Sequence, residues 1–182
     1  MQSYILAAIL LLPLPAIGAA VLKGHVSEKD GLFSIQLEMQ IEGDEDDVYD
    51  LLTNYNQLTK LSDVIISSKV IKETELHSFL ILKSEGCVLF FCTNITQTQK
   101  ITERDNGYID VEDIKGKSDF TYGQSLWYIR AGKEGTLISY NAQLKPGFWL
   151  PPLIGNLIFK RRLLEESQNM VIRIEQLATN EE

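Results

Sequence analysis

The sequence predicts an α+β domain in which an antiparallel sheet is completed by one long C-terminal helix. Three observations carry this expectation. Residues 31–42 alternate strictly between apolar and polar, short strand-like runs fill 64–144 between clusters of turn residues, and apolar residues recur at helical spacing between Pro152 and Thr179.

Ahead of the domain, Tyr4 to Leu22 is almost wholly apolar, and Ile5 to Leu12 has the length and content of a signal-peptide core. Ala16, Gly18, Ala19 and Ala20 supply small residues for cleavage near Ala19 or Ala20, and Pro13 and Pro15 would disturb a spanning helix. Residues 1–20 are therefore expected to be a secretory signal peptide, followed by one domain over 24–179. The alternative is an uncleaved anchor, since about nineteen apolar residues just reach across a bilayer. Export implies the periplasm if the source is a Gram-negative bacterium.

Residues 1–20 carry no charge, so the remainder keeps the whole formal net charge of -8. This acidity argues against nucleic acid as a partner and against electrostatic docking on anionic lipid. Any transient membrane contact is expected to be apolar.

In the first strand, Phe33, Ile35, Leu37, Met39 and Ile41 share one face. The run DEDDVYDLL after Gly43 then places carboxylates in a first turn and Val48, Leu51, Leu52 and Tyr55 at helical spacing, which predicts a capped helix ending near Asn54 to Asn56. An antiparallel meander is expected next, with strands near 64–72, 78–86, 92–103, 108–114, 124–131 and 136–144. Pro152 suits the first turn of the last helix, which at 1.5 Å per residue is roughly 40 Å long. Its apolar stripe is read through Leu153, Leu157, Leu164, Val171 and Ala178, widened by Ile154, Leu163, Ile174 and Leu177. Lys160, Arg161 and Arg162 interrupt it; either they snorkel, or Arg161 reaches inward to a ligand's polar head.

In a simple meander alternate turns lie at opposite ends of the sheet. One end collects KETELH (72–77), ERDNG (103–107) and AGKEG (131–135), which suit water. The other collects VLFF (88–91), GKSDFTYG (116–123) and PGFWLPP (146–152). Large apolar side chains at three connections need a cover, a ligand or a membrane. They either plug the core or surround an apolar opening, and the second reading is preferred because three connections share the feature.

Cys87 and Cys92 belong to the same end. In one straight strand they would stand roughly 16 Å apart, too far for a disulfide. With Val88 to Phe91 as a hairpin loop they face each other, and a disulfide is expected. Free thiols or a redox pair are the alternatives.

Little else carries chemistry. His25 and His77 are the only histidines, with no metal-ligand spacing around them, so neither a metal site nor a cofactor is expected. No G-x-S-x-G, P-loop or G-x-G-x-x-G is present. Asp44 to Asp47 are explained by helix capping. Asn94-Ile95-Thr96 fits a glycosylation sequon that falls in a predicted strand.

The order of elements, with VYDLLTNYNQLTKLSDVIISSKVI (48–71), SDFTYGQSLWYI (118–129) and PPLIGNLIFKRRLLEESQ (151–168), resembles the START-like (SRPBCC) superfamily, in particular its coenzyme Q-binding and polyketide cyclase branch. The resemblance spans nearly all of the chain after the leader. It implies a helix-grip fold: a curved antiparallel sheet wrapped around the C-terminal helix and enclosing an apolar cavity for lipids, isoprenoid quinones or polyketides.

The expected function is non-enzymatic binding or transport of such a hydrophobic ligand in the cell envelope. The opening and cavity would take Phe90 and Phe91 from the hairpin tip and Phe120 and Tyr122 from the second connection. Phe148, Trp149 and Leu150 from the third, and Trp127 and Leu157 from the elements behind, would complete them. A cyclase or hydrolase is the rival reading and needs an inward polar pair among Tyr128, Arg130, Tyr140 and Asp119. A protein-interaction module, with the apolar end as interface, is the other.

Overall fold

The computed structural model describes residues 20–88, 91–151 and 154–179. The expected leader, apart from Ala20, lies outside them, as do Phe90, Pro152 and Leu153. The elements run β1 (Ala20–Lys29), β2 (Leu32–Ile41), α1 (Glu45–Thr53), a single 3-10 turn (Leu58–Lys60), β3 (Ile65–Glu73), β4 (Ser78–Val88), β5 (Phe91–Arg104), β6 (Tyr108–Asp113), β7 (Phe120–Ala131), β8 (Thr136–Pro146) and α2 (Gly155–Thr179). All eight strands form one curved antiparallel sheet in the order β1-β2-β8-β7-β6-β5-β4-β3. This is the helix-grip arrangement that the resemblance implied.

Strand β1 corrects the expected order of elements, which began with 31–42. Its alternation is hidden by Gly24 and by an irregularity in pairing between Val21 and Lys23. A stronger signal was present: Asp30 and Gly31 both have positive φ, 54° and 78°, and Asp-Gly is the preferred pair for a two-residue hairpin loop. Gly24 also lets α2 come close, because a Cβ there would lie 3.2 Å from Leu164 Cδ2.

The inward face of β2, Phe33, Ile35, Leu37, Met39 and Ile41, is buried throughout. Helix α1 starts at Asp44, whose carboxylate accepts from the backbone N of Asp46 at 2.9 Å and which precedes three acidic residues in the first turn, as the helix dipole favours. Val48 and Leu52 anchor it in the core. Its C-terminal end is tied to the sheet by two phenols: Tyr49 and Tyr55 donate to the two carboxylate oxygens of Glu103 at 2.8 and 2.9 Å.

Helix α2 lies along β1 and β2 and buries Val171, Ile174 and Ala178. The other half of the concave face, from β8 to β3, is left under the first turns of α2 and the segment leading into it.

Candidate functional site

Beneath that half of the sheet is a cavity of about 820 Å³. Leu52, Tyr55, Leu58 and Leu61 close it on the α1 side, and Leu80, Leu82, Ile95, Ile101, Ile109 and Val111 form the wall from β4 to β6. Period-two alternation explains the wall, since these residues occupy every second position of adjacent strands. Phe159, Leu163 and Met170 of α2 face them.

Four rings hold the segment before α2 in place. Phe33 meets Phe159 edge-on at 4.8 Å between centroids, Phe159 meets Phe148 at 6.2 Å, and Phe148 meets Phe120 at 5.5 Å. Edge-to-face pairs at these distances are favourable. Phe120, Phe148, Trp149 and Leu150 all border the cavity. Trp149 is 63% exposed, and so stands at the rim. Charged Asp63, Glu85, Arg162 and Glu166 also border it.

Cys87 and Cys92 are joined by a disulfide with 4.0 Å between their Cα atoms, and both border the cavity. The strand pair continues one step beyond them, to Val88 opposite Phe91. The loop is therefore shorter than the expected 88–91, because a disulfide-clamped pair of a β-branched and an aromatic residue suits a strand. The Glu85 carboxylate lies beside the two sulfurs, which are bonded to each other and so are not thiolate donors.

Several expected site residues lie elsewhere. Tyr122 and Leu157 are 41% and 70% exposed and neither borders the cavity. Arg161 points outward and is bound by Glu165 at 2.6 Å, with 80% of its side chain exposed; its neighbour Arg162 is the one at the rim. Trp127 does line the cavity, tilted against Tyr140 at 4.3 Å. Of the four residues considered for catalysis, Tyr140 alone is inward. Tyr128 stacks on Tyr108 at 4.2 Å and, one residue from inward Trp127, belongs to the opposite face together with Arg130. Asp119 caps the Thr96 backbone N at 2.6 Å.

One polar patch on the wall was passed over. Gln97, Gln99, Ser125 and Tyr140 border the cavity. Gln97 donates to both oxygens of Asp113 at 3.2 Å. Burial pushes Asp113 above its ordinary value, against hydrogen bonds from Gln97, Gln99 and Ser118 that pull it down. Burial likewise pushes the Tyr140 hydroxyl up to about 12, so it is neutral at physiological pH. The signal was available: Ile95 and Ile101 fix the inward register of β5, and Gln97 and Gln99 share it.

A family model described as polyketide cyclase / dehydrase and lipid transport matches residues 41–171. The chain belongs to that family. Among curated proteins no sequence matches it. Several solved structures share its fold. The Zhui aromatase/cyclase of a Streptomyces species superposes with a TM-score of 0.66 at 9% identity, over 81% of this chain and 94% of that one. The STAR-related lipid transfer protein from Xanthomonas axonopodis gives 0.63 at 16% identity, over 84% and 99%. A START superfamily protein from Mycobacterium smegmatis gives 0.61 at 13% identity, over 80% and 98%. The family's description includes lipid transport, and these structures share its fold.

Proposed function

We propose that the chain binds or carries a hydrophobic ligand, such as a lipid, an isoprenoid quinone or a polyketide-like molecule, in the cell envelope, without transforming it. The observation that carries this is the apolar cavity of about 820 Å³, a size typical of small-molecule sites. Burial of apolar surface, worth roughly 25 cal/mol per Å² before the cost of association, would drive binding.

The envelope location is supported by the disulfide, which persists in oxidising compartments. No helix among the described residues is long and apolar enough to cross a membrane. Exposed Trp149 at the rim favours a transient, apolar contact with a membrane during loading, since aromatic rings settle at the interface. The catalytic alternative has Tyr140 in the cavity but no second member of its candidate pair. The protein-interaction alternative does not account for a cavity of this size.

The test is organic extraction of the purified native protein followed by lipid mass spectrometry. One class of apolar molecule, retained at near-stoichiometric amount, is expected. A protein that emerges empty and takes up no lipid from vesicles would defeat the proposal.

A further inference from the structure

The polar patch has a direction. Strand pairing sets Gln99 opposite Asp113 and carries Asp113 to the level of Gly123 on β7, since Glu112 pairs with Gln124. A side chain at residue 123 would overlap Asp113 Oδ2, so this glycine is what admits the carboxylate. Gln97 gives its Nε2 to Asp113, and the Gln99 and Ser118 side chains lie near enough to favour its charge.

The Asp113 oxygens accept from Gln97, so they fix how that amide is turned. The Gln97 Nε2 is committed to Asp113, and its Oε1 oxygen is what remains for the lumen, with Gln99 beside it on the same wall. No protein donor to that oxygen is found among the described residues. Next to it Ser125 and Tyr140 both border the cavity, with Ser125 near enough to the Tyr140 hydroxyl to favour its charge; a bond between the two would use one hydroxyl hydrogen and leave the other for a ligand. The patch therefore offers acceptors, plus one donor, in an otherwise apolar wall.

We propose that this patch seats a neutral hydroxyl group, which donates to Gln97 or Gln99 and accepts from the Ser125–Tyr140 pair, so that the cavity selects a long-chain alcohol or phenol. The inference rests on the reading of the cavity as an apolar-ligand site and names the ligand's polar group. An ester carbonyl would only accept, and so would confront the amide oxygens without a donor. A ligand carboxylate would add a second negative charge near Asp113.

The test is displacement of a neutral fluorescent naphthylamine from the purified chain by four ligands of equal chain length: an alcohol, its methyl ester, the carboxylate and the alkane. The alcohol is expected to displace the probe at about tenfold lower concentration than the ester, as one extra hydrogen bond allows. Asp113→Asn releases the amides to turn and is expected to narrow the gap to about threefold or less, with displacement by the alkane unchanged. If that variant fails to fold, Gln97→Met with Gln99→Met, which removes the acceptors and keeps Asp113, is expected to narrow it equally. An ester or carboxylate that binds as well as the alcohol overturns the inference and leaves the carrier reading intact. An alcohol preference that survives Asp113→Asn or the double Met variant also overturns it. If neither the probe nor any of the four binds, the carrier reading fails first.

Discussion

Burial raises the Asp113 carboxyl above its ordinary range, and hydrogen bonds offset this only in part. An acid whose pKa rises on folding contributes stability below its unfolded pKa, about 3.9 for Asp, and loses it as pH climbs through the folded value. The carboxyl therefore weakens the fold at neutral pH relative to acid pH. Asp113→Asn is expected to raise the thermal midpoint near pH 7, and the difference from the parent should vanish near pH 3, read by circular-dichroism melts at each pH. A group that opposes stability yet is held by Gln97, Gln99 and Ser118 fits a role in ligand contact. Tyr140 acts at the other end of the scale. Its pKa of about 12, raised by burial with a smaller push from Asp113, means that stability present below about pH 10 is lost as pH rises towards the folded value. Tyr140→Phe is expected to flatten that alkaline loss in urea midpoints measured across the range.

At the scale of elements, α2 shows why Leu157 and Arg161 lie away from the cavity. The sequence stripe Leu157–Leu164–Val171–Ala178 repeats every seven residues, and a straight helix drifts about 20° per heptad from such a repeat. Between Ala178 and Leu157 the drift reaches roughly 60°, which carries Leu157 out of the interface and Arg161 with it. Phe159, Arg162, Leu163, Glu166 and Met170 take the cavity side instead. Val171→Ala, at a position 1% exposed, is accordingly expected to cost about 1–3 kcal/mol, whereas Leu157→Ser should change stability by about 0.5 kcal/mol or less, both from urea unfolding. The hairpin offers a second check: reducing or replacing the Cys87–Cys92 pair should cost about 2 kcal/mol, the chain-entropy value for so short a loop. Period-two alternation made β2 and the β3–β8 meander legible in advance, and turn composition sorted the two ends of the sheet. The hidden features were those where alternation breaks, as at Gly24 in β1, or where inward residues are polar, as at Gln97, Gln99, Asp113 and Ser125. Hydrophobicity marks a wall well and the polar spots on it poorly.

For the whole molecule, one fact of topology bears on how the domain meets a membrane. Ala20 pairs with Gln40, and Ile41 with Thr136, so β1 enters the sheet at the end of the polar turns. Trp149 and the disulfide hairpin stand at the other end, separated by the ten residues of β1, a span on the order of 30 Å. A bilayer gripped through residues ahead of Ala20 would therefore meet the end opposite the rim. The central claim is that an apolar chain enters between α2 and the sheet, and the two tryptophans of the sequence stand ready to report it, Trp127 inside and Trp149 at the rim. In a Trp149→Phe form, titration with a long-chain alcohol brominated along its chain should quench Trp127 fluorescence and saturate at one ligand per protein. Unchanged Trp127 emission, with quenching confined to Trp149 in the Trp127→Phe form, would mean that lipid only adsorbs at the rim, and would contradict the account.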